Sequence, residues 1–90
     1  MKRHFTILVS GKVQGVFFRA STKEKADSLD ITGLVRNEPD GCVYIEAEGE
    51  EEPLREFARW CHQGPLRAKV KKSDVRESAL KGFTGFIIER

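Results

Sequence analysis

A glycine-containing segment, G-K-V-Q-G-V-F-F-R at residues 11–19, follows an apolar-rich run that ends at Val9. Gly15 permits a positive φ or a close approach of the backbone to a ligand. Between a strand and a helix, the successive N–H groups of such a loop can curl around an anion, helped by the positive end of the helix. Arg19 adds a planar, permanently charged guanidinium that fits two phosphate oxygens. Taken alone, the pattern fits two interpretations equally, an anion cradle or an ordinary turn with an exposed arginine.

Other kinds of reactive site find little support. The segment is not a Walker A loop, because no Gly-Lys-Ser/Thr ends it. Cys42 and Cys61 have neither the close spacing nor the matching His pair of a zinc site or a redox motif. We therefore expect two reduced thiols and no metal or other cofactor. His4 and His62 are isolated in the sequence, and we expect both to lie in solvent.

The length of 90 residues suits one small domain, spanning 1–90, with one modest core. Hydrophobic residues make up 39% and charged residues 33%, as in a globular domain. The formal net charge of +2 suits a small anionic ligand but falls short of a dedicated nucleic-acid binder. The apolar stretch near the N-terminus is too short for a signal-peptide core or a membrane span. We expect a cytoplasmic monomer without a nucleic-acid or membrane partner.

Apolar periodicity predicts an alternation of strands and helices. Apolar patterns predict strands at residues 5–9, 34–35, 43–48, 68–71 and 86–88, and helical spacing predicts helices over residues 18–29 and from Pro53 to a stop at Gly64. Pro53 suits the first position of the second helix, and Gly64-Pro65 suits its end. The order is that of an α+β, ferredoxin-like sandwich (βαββαβ with a short extra C-terminal strand), with two helices on one face of a mostly antiparallel sheet.

This topology predicts which loops meet. The first two strands run in the same direction, so the loop after the first and the turn after the second lie at one edge of the sheet. Arg19 and Asn37 should therefore lie close together. The second helix ends at that edge too, which predicts that the loop at 64–67 forms a neighbouring wall.

Two long segments resemble the signature motifs of the acylphosphatase family. They are the glycine-containing segment at 11–19 and G-L-V-R-N-E-P-D-G-C-V-Y-I-E-A-E-G at 33–49, and the similarity extends to Gly-Pro at 64–65, A-K-V at 68–70 and the C-terminal F-I-I. The resemblance implies a ferredoxin-like fold and metal-independent hydrolysis of the carboxyl-phosphate bond of acyl phosphates. It implies that Arg19 binds the phosphate and that Asn37 orients the attacking water. The phosphate-binding loop would comprise Val13, Gln14, Gly15, Val16, Phe17, Phe18 and Arg19.

The absence of a general acid near the glycine-containing segment agrees with such a reaction. An acyl phosphate leaves as a carboxylate, whose conjugate acid has a pKa of about 4, so the leaving group needs no general acid. The reaction does need charge stabilisation on three phosphoryl oxygens and a water held in line. Two positions depart from the family pattern. Leu34 stands where an aromatic residue is commoner, and Asp30 stands where a glycine commonly follows the first helix.

Several assignments stay open. Arg36 and Arg67 are candidates for contacting the acyl group, whereas Lys69, Lys71, Lys72 and Arg76 are better explained as charges on an edge strand. RNA binding is a rival function, because K-G-F-T-G-F-I-I at 81–88 resembles an aromatic RNA-recognition motif, although it lies at the C-terminus and not on the third strand. A phosphate-binding module without turnover is a second rival. Acetyl phosphate, carbamoyl phosphate and 1,3-bisphosphoglycerate are all possible substrates.

Overall fold

The computed structural model describes residues 1–90 and has the predicted order of elements. Five strands and two helices follow one another as β1 (Lys2–Lys12), α1 (Phe18–Ser28), β2 (Thr32–Asn37), β3 (Val43–Glu50), α2 (Glu51–Gln63), β4 (Lys69–Ser78) and β5 (Phe86–Ile88). The strands form one sheet in the order β4-β1-β3-β2-β5, in which only the β2–β5 pair is parallel. The ferredoxin-like sandwich is confirmed.

The core lies between one face of the sheet and the two helices. Alternate residues of β1 and β3 supply the sheet side, as their sequence pattern predicts, because successive side chains of a strand point to opposite faces. Helix α2 contributes Phe57, whose ring lies 5.9 Å from that of Phe86 on β5. The fully buried side chains of this layer include Ile7, Val9, Val35, Val43, Ile45, Leu54 and Cys61.

Strand β3 fixes the direction of its two neighbours. It pairs antiparallel with both β1 and β2, so those two strands run the same way. The loop after β1 and the turn after β2 therefore lie at the same edge of the sheet, as the topology predicts. Neither helix is long and apolar enough to cross a membrane.

Helix α2 differs from the sequence prediction at its start. It begins at Glu51, which makes Pro53 the third helical residue rather than the first. The difference costs no hydrogen bond, because the N–H groups of a first helical turn have no partner within the helix. The predicted end is correct: Gly64 has a φ of 74° and its N–H donates to the Trp60 carbonyl at 2.7 Å. Strands β1 and β4 extend well beyond the predicted ranges.

Residues 79–85, which we call the strap, connect β4 to β5 and cover part of the sheet face opposite the helices. The N–H groups of Lys81, Gly82 and Phe83 all donate to the carboxylate of Glu48 on β3. The ring of Phe83 stacks on His4, with 6.0 Å between ring centroids. The strap thus buries side chains of β1 and β3 that alternation alone would place in solvent.

The prediction that His4 lies in solvent is wrong. His4 is fully buried, with Nδ1 2.8 Å from Glu48 Oε2. Its Nε2 lies 3.1 Å from Glu46 Oε1, although the two groups are not aligned as a hydrogen bond. The Lys81 ammonium also contacts Glu46, at 2.8 Å. Burial of the imidazole is tolerated because charged partners surround it. His62 is exposed, as expected.

Candidate active site

A pocket of about 360 Å³ opens at the sheet edge where β1 and β2 end. It combines the glycine-containing loop, the start of α1, the end of β2 and the C-terminal segment. Its walls are Val13, Gly15, Phe17, Phe18, Arg19, Ala20, Asn37, Ile88 and Arg90. The pocket therefore brings together the two residues, Arg19 and Asn37, that topology placed at one edge.

The loop leading into α1 leaves its backbone donors free. Gly15 and Phe17 both have positive φ, 72° and 63°, so the chain turns sharply twice within three residues. The N–H groups of Gln14, Gly15, Val16 and Phe17 donate to no backbone acceptor, and the first bonded amide is that of Ser21, which donates to the Phe17 carbonyl at 3.0 Å. Alternating left-handed residues of this kind form a nest that binds anions through its amides.

The N-terminus of α1 has no internal partner for its partial positive charge. Phe17 is the N-cap residue, makes no side-chain capping bond, and no acidic residue occupies the first turn. Ser, Thr, Asp and Asn are preferred at this position, because their side chains bond the free amides. An anion in the pocket would perform that role here, with the helix dipole in its favour.

Gln14 connects this loop to the turn after β2. Its Nε2 donates to the carbonyls of Glu38 and Cys42, at 2.8 and 2.9 Å. The turn is closed by the Glu38 N–H, which donates to the Cys42 carbonyl at 2.8 Å. The Cys42 N–H donates to Asp40 and holds the pKa of that carboxyl below its ordinary value. Gln14 thus fixes the loop relative to Asn37.

The two polar side chains of the pocket are not engaged elsewhere. Arg19 forms none of the ion pairs of the chain. The Oδ1 atom of Asn37 is buried and has no hydrogen-bond partner. A buried polar atom without a partner is uncommon and points to a role in ligand binding or catalysis. The pocket has no acidic wall, and its only charged side chains are those of Arg19 and Arg90.

Comparison with known proteins identifies the family. The model of the acylphosphatase family matches residues 5–88. An acylphosphatase from Marinobacter nauticus is 54% identical over 81 residues, which are 89% of this chain and 88% of the relative. The chain belongs to the acylphosphatase family. The crystal structure of acylphosphatase from Bacillus subtilis superposes with a TM-score of 0.95 at 38% identity over the full length of both chains. The acylphosphatase structure from Coxiella burnetii gives 0.94 at 35% identity, covering 98% of this chain and 93% of that one.

Not every residue of the acylphosphatase loop segment faces the pocket. Val16 is buried and Gln14 is turned toward the neighbouring turn, so their side chains support the loop while their backbone amides remain part of it. Phe17 does line the pocket, yet its side chain is 71% exposed. An exposed aromatic ring at the mouth offers an apolar surface to a ligand that extends out of the pocket.

Arg36 and Arg67 are not among the residues that line the pocket. Arg36 lies on the opposite face of β2, with its guanidinium 4.4 Å from the Tyr44 ring centroid and bonded to Glu38 and Glu89. The hydrogen bond to Glu89 raises the pKa of Arg36 further above its ordinary value. The loop of Arg67 approaches α1 at Gly64, where a methyl group would lie 2.8 Å from the Phe18 ring. That loop therefore supports the pocket from behind and does not form its wall.

Ala20, in the first turn of α1, lines the pocket and was not predicted from the sequence. Two further lining residues, Ile88 and Arg90, were not predicted either. Their position depends on β5 pairing parallel with β2 at the far edge of the sheet. The signal that could have found them is the alternation of Phe86, Ile88 and Arg90, which places all three on the helix-facing side of one extended segment. No cluster of three or more His, Cys, Asp or Glu side chains is placed to hold a metal ion.

Proposed function

We propose that this protein hydrolyses acyl phosphates to a carboxylate and inorganic phosphate without a metal ion. The observation that carries the proposal is the loop from Gln14 to Phe17, whose free amides, with those of the first turn of α1 and the guanidinium of Arg19, surround a pocket that also holds Asn37. A phosphoryl group has three oxygens that share the developing charge, and this arrangement offers them several donors at once. The names of the relatives support the substrate class.

In the proposed reaction, the phosphoryl group occupies the loop and Arg19 bonds two of its oxygens. Asn37 orients the attacking water, accepting a hydrogen bond through Oδ1 and donating one through Nδ2. The water oxygen forms a bond to phosphorus as the bond from phosphorus to the acyl oxygen breaks. The acyl group leaves as a carboxylate without protonation. A neutral amide is not a base, so the second proton of the water passes to a phosphoryl oxygen and the product is dihydrogen phosphate.

Arg19 and Asn37 have different roles in this scheme, and two substitutions test them. Release of phosphate from benzoyl phosphate is measured with an excess of chelator for the wild type, Arg19→Gln and Asn37→Ala. We expect Arg19→Gln to lower kcat/KM by about 100- to 1000-fold, the effect of removing one preorganised donor worth about 3 to 4 kcal/mol. Asn37→Ala should lower kcat about 100-fold, since a misplaced nucleophile has that effect.

A matched control is Arg76→Gln. Arg76 lies on β4, is exposed and forms no ion pair, so its loss changes net charge equally without touching the pocket. Activity that disappears with chelator, or that survives both pocket substitutions, would contradict the mechanism. Phosphate binding without turnover in the wild type would instead identify a silent binding module.

We also propose that the chain acts as one domain, as a monomer in the cytoplasm, and that nucleic acid is not its ligand. The segment at 81–88, which resembles an RNA-recognition motif, supports the last point, because Phe83 is stacked on His4 and Phe86 is buried in the core. Neither ring is therefore presented on an open sheet face to stack with a base. A monomer mass by light scattering and no shift of a labelled single-stranded RNA at micromolar protein are the expected results.

A further inference from the structure

The C-terminal segment continues the path of β5 beyond its assigned end. The Glu89 N–H donates to the Val35 carbonyl of β2 at 2.8 Å, so the parallel pairing persists for at least one residue. In that pairing Gly33, Leu34 and Val35 face Phe86, Ile87 and Ile88. Continued by two positions, the same register places Arg90 opposite Asn37, at the strand spacing of about 4.8 Å.

Alternation determines which way the side chains of this segment point. Ile88 and Arg90 both line the pocket, on the same side of the sheet as Asn37. Glu89 points the other way and bonds Arg36 at 3.1 Å. Arg36 also contacts Glu38, the residue that follows Asn37. One ion-pair network on the outer face thus holds together the two backbones that present Asn37 and Arg90 on the inner face.

Arg90 gives the pocket a second guanidinium, so that two cationic side chains are available to the oxygens of a phosphoryl dianion. Arg19 and Arg90 are the only charged lining residues, and the pocket has no acidic residue. The phosphoryl group of an acyl phosphate carries two negative charges near neutral pH. Arg90 forms no ion pair within the chain, so its guanidinium is free to bind an oxygen of the ligand.

We propose that Arg90 is a second phosphoryl-binding residue, which contacts the phosphoryl oxygen on the Asn37 side of the pocket while Arg19 and the loop amides bind the others. This inference rests on the proposed function for the identity of the substrate. Placement beside Asn37 favours the phosphoryl group over the acyl group as the partner of Arg90. In an in-line displacement the attacking water and the acyl leaving group lie on opposite sides of phosphorus.

The test compares Arg90→Gln and Arg90→Lys with the wild type and with Arg76→Gln, using protein tagged at Met1 so that the C-terminal segment is unaltered. Binding of inorganic phosphate is measured by calorimetry, which needs no turnover. We expect Arg90→Gln to weaken phosphate binding about tenfold, as for the loss of one hydrogen bond to a charged partner. Arg90→Lys should recover part of the loss, because it keeps the charge but not the planar fork. Arg76→Gln should leave the affinity unchanged.

A second measurement separates the phosphoryl from the acyl contact. kcat/KM is determined for benzoyl phosphate, whose acyl group is neutral, and for succinyl phosphate, whose acyl group carries a carboxylate. Equal losses for the two substrates in Arg90→Gln support the proposal. A loss confined to succinyl phosphate, or an unchanged phosphate affinity, overturns it. If the wild type binds phosphate through Arg90 but releases none from either substrate, the proposed function fails and the binding role of Arg90 stands.

Discussion

Glu48 links the strap to the sheet, and its replacement by glutamine should destabilise the fold strongly. Glu48 is 5% exposed. Its carboxylate receives three strap N–H groups, with oxygen-to-nitrogen distances of 3.1 Å to Gly82 and 3.2 Å to Phe83, and lies 2.8 Å from His4 Nδ1. Glutamine has nearly the same shape but only one acceptor oxygen. Its NH2 group must therefore face either His4 and the Lys81 amide, in the place of Oε2, or the amides of Gly82 and Phe83, in the place of Oε1.

The size of the effect follows from the donors left without an acceptor. Two unpaired donors at about 1–3 kcal/mol each predict a loss of about 2–6 kcal/mol, a range that includes the loss of one partner from a buried ionic contact. Urea unfolding at pH 7 measures the free energy, with an unchanged m-value as the sign that both states keep their compactness. Glu24→Gln is the matched control, because Glu24 is exposed on α1 without an ion pair, and should change stability by less than about 0.5 kcal/mol.

The dependence on pH gives the same argument an independent check. Burial alone would raise the pKa of Glu48, but hydrogen bonds from Lys81, His4, Phe83 and Gly82 outweigh it and hold the pKa below its ordinary value. A depressed carboxyl pKa stabilises the fold above the pKa of the unfolded chain, about 4.3, and this contribution is lost as the pH falls through the folded value. The difference between wild type and Glu48→Gln should therefore shrink as the pH falls below about 4.3. A difference under about 1 kcal/mol at pH 7, or one that grows in acid, would refute the role given to the carboxylate.

Three backbone positions with positive φ supply further predictions for urea unfolding. Gly33→Ala should cost at least about 3 kcal/mol, since φ is 145° and the added methyl would lie 1.9 Å from the Glu46 carbonyl oxygen. Gly82 has a φ of 82° but open space around it, so Gly82→Ala measures the cost of the left-handed backbone alone, about 1–2 kcal/mol. Equal losses of stability for the two variants would contradict a steric collision at Gly33. Asp30→Gly should stabilise the fold by about 0.5 kcal/mol, because Asp30 has a φ of 57° and relief of that strain exceeds the added entropy of the unfolded chain, and a measured loss would contradict this.

The sequence was sufficient to predict the parts of the fold that depend on local pattern. Alternation along β1 identified Phe5, Ile7 and Val9 as core residues, and all three are buried. The order of elements was sufficient to predict that Arg19 and Asn37 approach each other, because the directions of β1 and β2 follow from short connections. The first inference uses the pattern within a few residues, and the second uses the order of elements along the chain.

The features that were missed depend on contacts between distant segments. His4 follows a basic residue near the N-terminus, and nothing local indicates that residues 79–85 return to cover it. The strap has no apolar period, and three of its anchoring bonds come from backbone amides, which most residue types supply. Arg90 was missed for a similar reason, since its face is defined by the register of β5 on β2 and not by its own neighbours.

The strap and the pocket are connected through β5. This strand has three residues and pairs with β2 alone, so its own ladder gives it little stability. Its position depends on anchors at both ends. The Gly33 N–H bonds the Gly85 carbonyl at 2.9 Å where the strap meets β5, and Arg36 holds Glu89 beyond the other end. Arg19 instead lies on the helix α1, and Asn37 lies on β2, which pairs with the longer strand β3. The proposed phosphate-binding loop and Asn37 are therefore carried by α1 and β2, whereas the placement of Arg90 depends on contacts made on the opposite face of the sheet.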